Sequence, residues 1–200
     1  MKQLIKLITV GFFMLSPLAA QAAGANFFEK GLLHPLAVPT HLIAIFAVGL
    51  LLGQQGLRCL SIGLPTFLVA LAAALVMTRY QSASWDPEMI LLPLSAITGL
   101  LLTLRRQWYL ALSLIIAVVV AVVIGMDSSV PMIPGLQTRK IYASLAGTGV
   151  TVSGLLFVVT LIAYALRNLI HGIIIRILGA WAAAGAVLVL ALLLANAART

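Results

Sequence analysis

The stretch GLLHPLAVPTHLIAIFAVGLLLGQQG, residues Gly31–Gly56, joins two histidines and two prolines to the start of a long apolar run. No charged residue occurs from Leu42 to Leu52, which is typical of a helix inside a lipid bilayer. Pro35 and Pro39 disfavour one continuous helix here, because each lacks an N–H and restricts the residue before it. We therefore expect an irregular segment that becomes helical near Pro39.

The two histidines of this stretch, His34 and His41, are seven residues apart. On a continuous helix that spacing would place them on one face. With the prolines between them, we expect His41 in the first turns of a membrane helix. A histidine at the mouth of such a helix is costly to bury, so a functional role has to be considered for it.

The composition defines the class of protein. The chain has 200 residues, of which 63% are hydrophobic and 8% charged, whereas soluble domains carry about 25% charged residues. This shortfall predicts an integral membrane protein in contact with the lipid bilayer. The formal charge of +8 does not indicate a nucleic-acid partner, because the basic residues are isolated between apolar runs and form no stripe.

The first residues have the pattern of a secretory signal. Lys2 and Lys6 precede a short apolar core, and Ala20-Gln21-Ala22 matches a cleavage site. We expect a signal peptide over residues 1–22 and one membrane domain over residues 23–200, with its N-terminus outside the cytoplasm of a bacterial inner membrane. An uncleaved anchor helix is the alternative.

Six apolar runs follow, and each approaches the length that a bilayer requires. Short connections predict that consecutive helices are neighbours, giving an all-α bundle of about six transmembrane helices. Glycines in the last two runs suit close helix contacts. The runs are Pro39–Leu52, Cys59–Met77, Met89–Leu104, Tyr109–Met126, Ile141–Leu166 and Ile173–Ala195, and the glycines are Gly147, Gly149, Gly154, Gly179 and Gly185.

The first stretch resembles the HupE/UreJ family of small bacterial membrane proteins, associated with hydrogenase and urease maturation and regarded as nickel or cobalt permeases. The family pattern is of the kind HPxxGxDHxxxM, preceded by an aromatic residue and a glycine. The residues at matching spacing are Phe28, Gly31, His34, Pro35, His41 and Gly49. Where the pattern has Gly, Asp and Met, this chain has Val38, Thr40 and Ile45. The resemblance implies nickel or cobalt uptake linked to metalloenzyme maturation.

His34 and His41 are therefore candidate metal ligands, since nickel and cobalt bind imidazole well. Asp127, at the end of the fourth run, could attract cations or supply an oxygen ligand, as could Glu29. The structural alternative is that His34 begins or caps the first helix while His41 hydrogen-bonds a carbonyl freed by the prolines. Handling of protons or another substrate is the third interpretation.

Other functions find less support in the sequence. No motif of a catalytic nucleophile, phosphate loop or metalloprotease occurs, so we predict a protein that is not an enzyme. His171 lies between Arg167 and Arg176, which favours a structural role over metal binding. The alternative to a permease is an accessory subunit or assembly factor in a membrane complex or homo-oligomer. Haem bound by two of the histidines is a third hypothesis.

Overall fold

The computed structural model describes residues 27–78, 86–104, 110–128, 138–168 and 172–198. Of these residues, 94% are helical and none lies in a strand, which confirms the all-α prediction. The six predicted runs each form a helix, and one further helix precedes them. The helices are α1 (Phe27–Ala37), α2 (Pro39–Gln55), α3 (Leu57–Met77), α4 (Glu88–Thr103), α5 (Leu110–Asp127), α6 (Thr138–Leu166) and α7 (Ile173–Ala197). The predicted signal peptide lies outside the described residues.

Four of these helices, α3, α5, α6 and α7, are long and apolar enough to cross a membrane. The bent pair α1 and α2 counts as a fifth crossing if it is one broken span. Helix α4 is apolar but has only 16 residues, and so it is about 24 Å long, somewhat less than the bilayer core. The description of a multi-pass membrane bundle is therefore confirmed.

Helix α2 is the centre of the bundle and contacts all six other described helices. From Leu42 to Leu52 it carries no polar side chain, as expected of a helix with neighbours on most sides. The most extensive packing joins α4 to α7, α1 to α6, α3 to α5 and α2 to α6. The expectation that consecutive helices are the main neighbours is wrong: α6 and α7 barely touch, because a short connection fixes only the ends of two helices.

The segment before Pro39 is also different from the prediction. Instead of an irregular stretch, residues Phe27–Ala37 form helix α1 with Pro35 inside it. The break falls at Val38, which has an extended backbone, and the axes of α1 and α2 differ by 73°. Pro39 then begins α2, the helical position at which a missing N–H costs least.

Small residues allow helices α1 and α6 to cross with their backbones in contact. A Cβ atom on Gly31 would overlap the Ser144 carbonyl, and one on Gly147 would overlap the Phe28 carbonyl. Gly179 similarly lies against Leu102 and the Gly99 carbonyl, at the contact of α4 with α7. The predicted role in close packing therefore fits Gly147 and Gly179. The close-packing role does not fit Gly154 or Gly185, because a Cβ atom at either position would meet nothing within 4 Å.

Candidate metal centre

The break between α1 and α2 brings the two histidines together. His34 lies in the last turn of α1, and His41 lies in the first turn of α2. Their ring centroids are 5.7 Å apart, and the ring planes are 78° apart. On a straight helix, seven residues would separate them by about 10.5 Å along the axis. The bend between α1 and α2, and not one face of a continuous helix, therefore brings the two rings together.

Asp127 completes this group from another helix. It is the last residue of α5, and its Oδ2 lies 2.7 Å from His41 Nε2. The His41 side chain is fully buried, whereas 26% of the Asp127 side chain is exposed. One ligand atom from each of His34, His41 and Asp127 lies within 4.8 Å of the other two. The three predicted site residues therefore form one cluster.

Several polar atoms in the cluster are buried without a hydrogen-bond partner among the described residues: His34 Nε2 and both ring nitrogens of His41. His41 Nε2 is nevertheless 2.7 Å from Asp127 Oδ2, which is within the distance of an ion pair. Buried polar groups in proteins are almost always partnered. Imidazole nitrogens without an assigned hydrogen bond, next to a carboxylate, are chemically suited to binding a cation.

The structural alternative for the histidines does not fit this arrangement. His34 lies in the last turn of α1 and neither begins nor caps a helix at its N-terminus. His41 makes no aligned hydrogen bond to any carbonyl of the described residues. The Gly31 carbonyl, which Pro35 leaves without its helical donor, instead accepts a hydrogen bond from Thr148 Oγ1 at 3.1 Å. Sequence reasoning missed this threonine.

Asp127 lies at the end of α5 that disfavours a carboxylate, next to the His41 imidazole. The C-terminus of a helix carries a partial negative charge, so a carboxylate in the last turn is repelled. Gly125, in the same turn, has its carbonyl satisfied by the Thr78 hydroxyl at 2.8 Å. The carboxylate thus has the geometry to bind a cation shared with the histidines.

Other residues considered from the sequence lie outside the cluster. Glu29 is in the first turn of α1 and is not a member of the group. His171 lies outside the described residues. Thr40, beside His41, is buried, and its Oγ1 has no partner in the described part of the chain. Among those residues, the group of His34, His41 and Asp127 is the one that could hold a metal ion.

At the opposite end of α2, the last turn of α4 accepts hydrogen bonds from side chains of α2 and α7. Gln54 Nε2 donates to the Leu102 carbonyl at 3.3 Å, and Arg176 Nε donates to the Thr103 carbonyl at 2.9 Å. These bonds satisfy carbonyls in the last turn of α4, where a cation also complements the helix dipole. Gln54 therefore caps the last turn of α4.

The fold and the cluster define a multi-pass membrane protein with a histidine- and carboxylate-containing group at one end of its bundle. The profile described as "HupE / UreJ protein" matches residues 8–190. The chain therefore belongs to the HupE/UreJ family, and the resemblance noted from the sequence is confirmed. Comparisons with curated proteins and with solved structures each gave no match.

Proposed function

We propose that this protein is an inner-membrane permease for a divalent transition-metal ion, with nickel or cobalt as the substrate. The observation that carries the proposal is the convergence of His34, His41 and Asp127, with ligand atoms within 4.8 Å of one another. Family membership over residues 8–190 supports the same class of protein. Uptake linked to the maturation of a metalloenzyme is the physiological role we infer.

The size of the cluster suits a single ion. Two nitrogen or oxygen ligands of one ion are at most about 4.2 Å apart, so ligand atoms that lie within 4.8 Å of one another would have to move closer together to enclose it. Two neutral imidazoles and one carboxylate would contribute a net charge of −1. Imidazole nitrogens favour nickel, copper and zinc over magnesium and calcium, which prefer oxygen ligands.

The aspartate of the family pattern is replaced by Thr40 in this chain. We propose that Asp127 supplies the missing carboxylate from α5. Asp127 Oδ2 is at contact distance from His41 Nε2. Asp127 would therefore place a negative charge next to the histidine that follows the aspartate position of the family pattern. The donor set of the site would then come from three helices, α1, α2 and α5.

The site would capture the ion at one face of the membrane rather than conduct it. Below His41, helix α2 has no polar side chain from Leu42 to Leu52, a distance of about 16 Å along the axis. An ion that moved past this part of α2 would need polar groups from other helices, water or a rearrangement of helices. With the N-terminus outside the cytoplasm, the capture site would face the outside.

Metal binding and transport are tested separately. The variant His34→Ala/His41→Ala should bind no Ni²⁺ or Co²⁺ in calorimetry of the purified protein, and cells that express it should accumulate no nickel above background. Asp86→Asn, which changes an exposed acid outside the cluster, is the control and should behave as wild type. Unchanged binding in the double variant would overturn the site. Binding without uptake by wild-type protein would favour the accessory-subunit alternative.

A further inference from the structure

Two threonines of α6 donate hydrogen bonds to the backbone of α1 where Pro35 interrupts it. Thr148 Oγ1 donates to the Gly31 carbonyl at 3.1 Å, and Thr151 Oγ1 donates to the Leu32 carbonyl at 2.9 Å. In an unbroken helix the Gly31 carbonyl would accept from the N–H of residue 35, but proline has none. Thr148 therefore replaces the donor that Pro35 removes.

These bonds differ from those of most other hydroxyls in the described residues, although Thr78 also donates to a neighbouring helix, at the Gly125 carbonyl. Thr66, Ser95 and Thr98 each donate to the carbonyl four residues earlier in their own helix, which is the usual pattern within a helix. Thr148 is 3.3 Å from its own-helix carbonyl and closer to that of Gly31. The two α6 hydroxyls thus bind a neighbouring helix, and Thr148 does so with 2% of its surface exposed.

Helix α1 depends on such contacts for its orientation. It has 11 residues, which is too short for a stable isolated helix, and the extended Val38 separates it from α2. Its main packing partner is α6, against which Gly31 and Gly147 bring the backbones into contact. That close approach lets short hydroxyl side chains reach the carbonyls of α1.

The geometry points to Thr148 and Thr151 as positioning residues, which hold the proline-interrupted α1 against α6 and so keep His34 at His41 and Asp127. His34 follows the two accepting carbonyls within one helical turn. The part of this inference that concerns metal affinity rests on the proposed function. The part that concerns the position of α1 can be measured without metal.

The metal-free test is hydrogen exchange of the α1 amides in the full chain, in lipid nanodiscs. Thr148→Val/Thr151→Val retains the shape and removes both donors. Exchange in α1 should rise roughly fivefold to tenfold, the effect of losing two membrane hydrogen bonds of average strength. Thr160→Val is the matched control, because Thr160 is a buried threonine of α6 whose hydroxyl has no partner among the described residues. It should leave α1 exchange unchanged, and Thr148→Ser/Thr151→Ser should restore it.

The metal test is calorimetric titration with Co²⁺ of the same variants. The double valine variant should bind Co²⁺ more weakly by roughly fivefold to tenfold, and this difference should vanish in a His34→Ala background if the threonines act through that histidine. Unchanged α1 exchange in the double valine variant would overturn the inference. Raised exchange with unchanged Co²⁺ affinity would overturn the positioning role. If wild-type protein binds no Co²⁺, the proposed function fails, and α1 exchange alone decides the inference.

Discussion

Asp127 Oδ2 lies 2.7 Å from His41 Nε2, at a helix end where a carboxylate has an unfavourable place. Asp127 ends α5, and His41 lies in the first turn of α2. The C-terminal partial charge of α5 therefore opposes the aspartate. A residue that conflicts with its local electrostatics is expected at a functional site. A substitution of Asp127 can therefore separate an effect on metal affinity from an effect on the stability of the fold.

Asp127→Asn should weaken Co²⁺ or Ni²⁺ binding by at least about tenfold, because it removes the negative charge of the donor set. The same change should leave the thermal midpoint of the metal-free protein equal or higher, since the repulsion at the end of α5 is removed. Calorimetric titration and thermal unfolding in detergent measure the two effects. A variant that loses stability and affinity together would mean that Asp127 is a structural residue.

The glycine contact between α1 and α6 predicts a position-dependent effect of alanine. Gly147→Ala places a methyl group against the backbone of α1, which forces the helices apart and should cost about 1–3 kcal/mol, as overpacking does. Gly154→Ala, on the same helix, meets open space and should be neutral or stabilising by up to about 1 kcal/mol through helix propensity.

Equilibrium unfolding of the two variants decides this prediction. Because α1 carries His34, Gly147→Ala should also weaken Co²⁺ binding, whereas Gly154→Ala should not. Equal stability of the two alanine variants would show that the α1–α6 contact is not close in the protein.

Six of the seven described helices were predictable because a membrane helix is a long run without charge. Helix α1 was not, since two prolines within Pro35–Pro39 locally oppose a helix. The bond that compensates for Pro35 comes from Thr148, at a sequence separation of 117 residues from Gly31. No local pattern contains such a partner, although a proline in an apolar segment does predict that some hydroxyl will satisfy the freed carbonyl.

The cluster was predictable in its members but not in its geometry. His34 and His41 are conspicuous because it costs free energy to bury an imidazole beside an apolar run. Asp127 is conspicuous because it directly follows the fourth apolar run. Their distances depend on the 73° bend and on how α5 packs near α2. Which helices pack together also depends on close glycine contacts, such as that of Gly99 with Gly179, and not on their order in the chain. The role of the three residues as metal ligands stays a prediction.

Gln54 provides a prediction at the other end of α2. Gln54→Leu removes the hydrogen bond from its Nε2 to the Leu102 carbonyl and retains the apolar volume of the side chain. Interhelical hydrogen bonds in membrane proteins contribute about 0.6 kcal/mol on average, and we expect a loss of stability of about that size. Chemical unfolding of the full chain in detergent measures it.

The effect should be confined to the end of the bundle where α2 meets α4. Arg176 donates to the neighbouring Thr103 carbonyl at 2.9 Å, so the last turn of α4 retains one donor in Gln54→Leu. Adding Arg176→Gln should therefore destabilise the protein by more than the sum of the two single changes, since the turn then loses both caps. Co²⁺ affinity should stay at the wild-type value throughout, because the His34 and His41 cluster is at the other end of α2. A change in Co²⁺ affinity would show that the two ends of α2 are coupled.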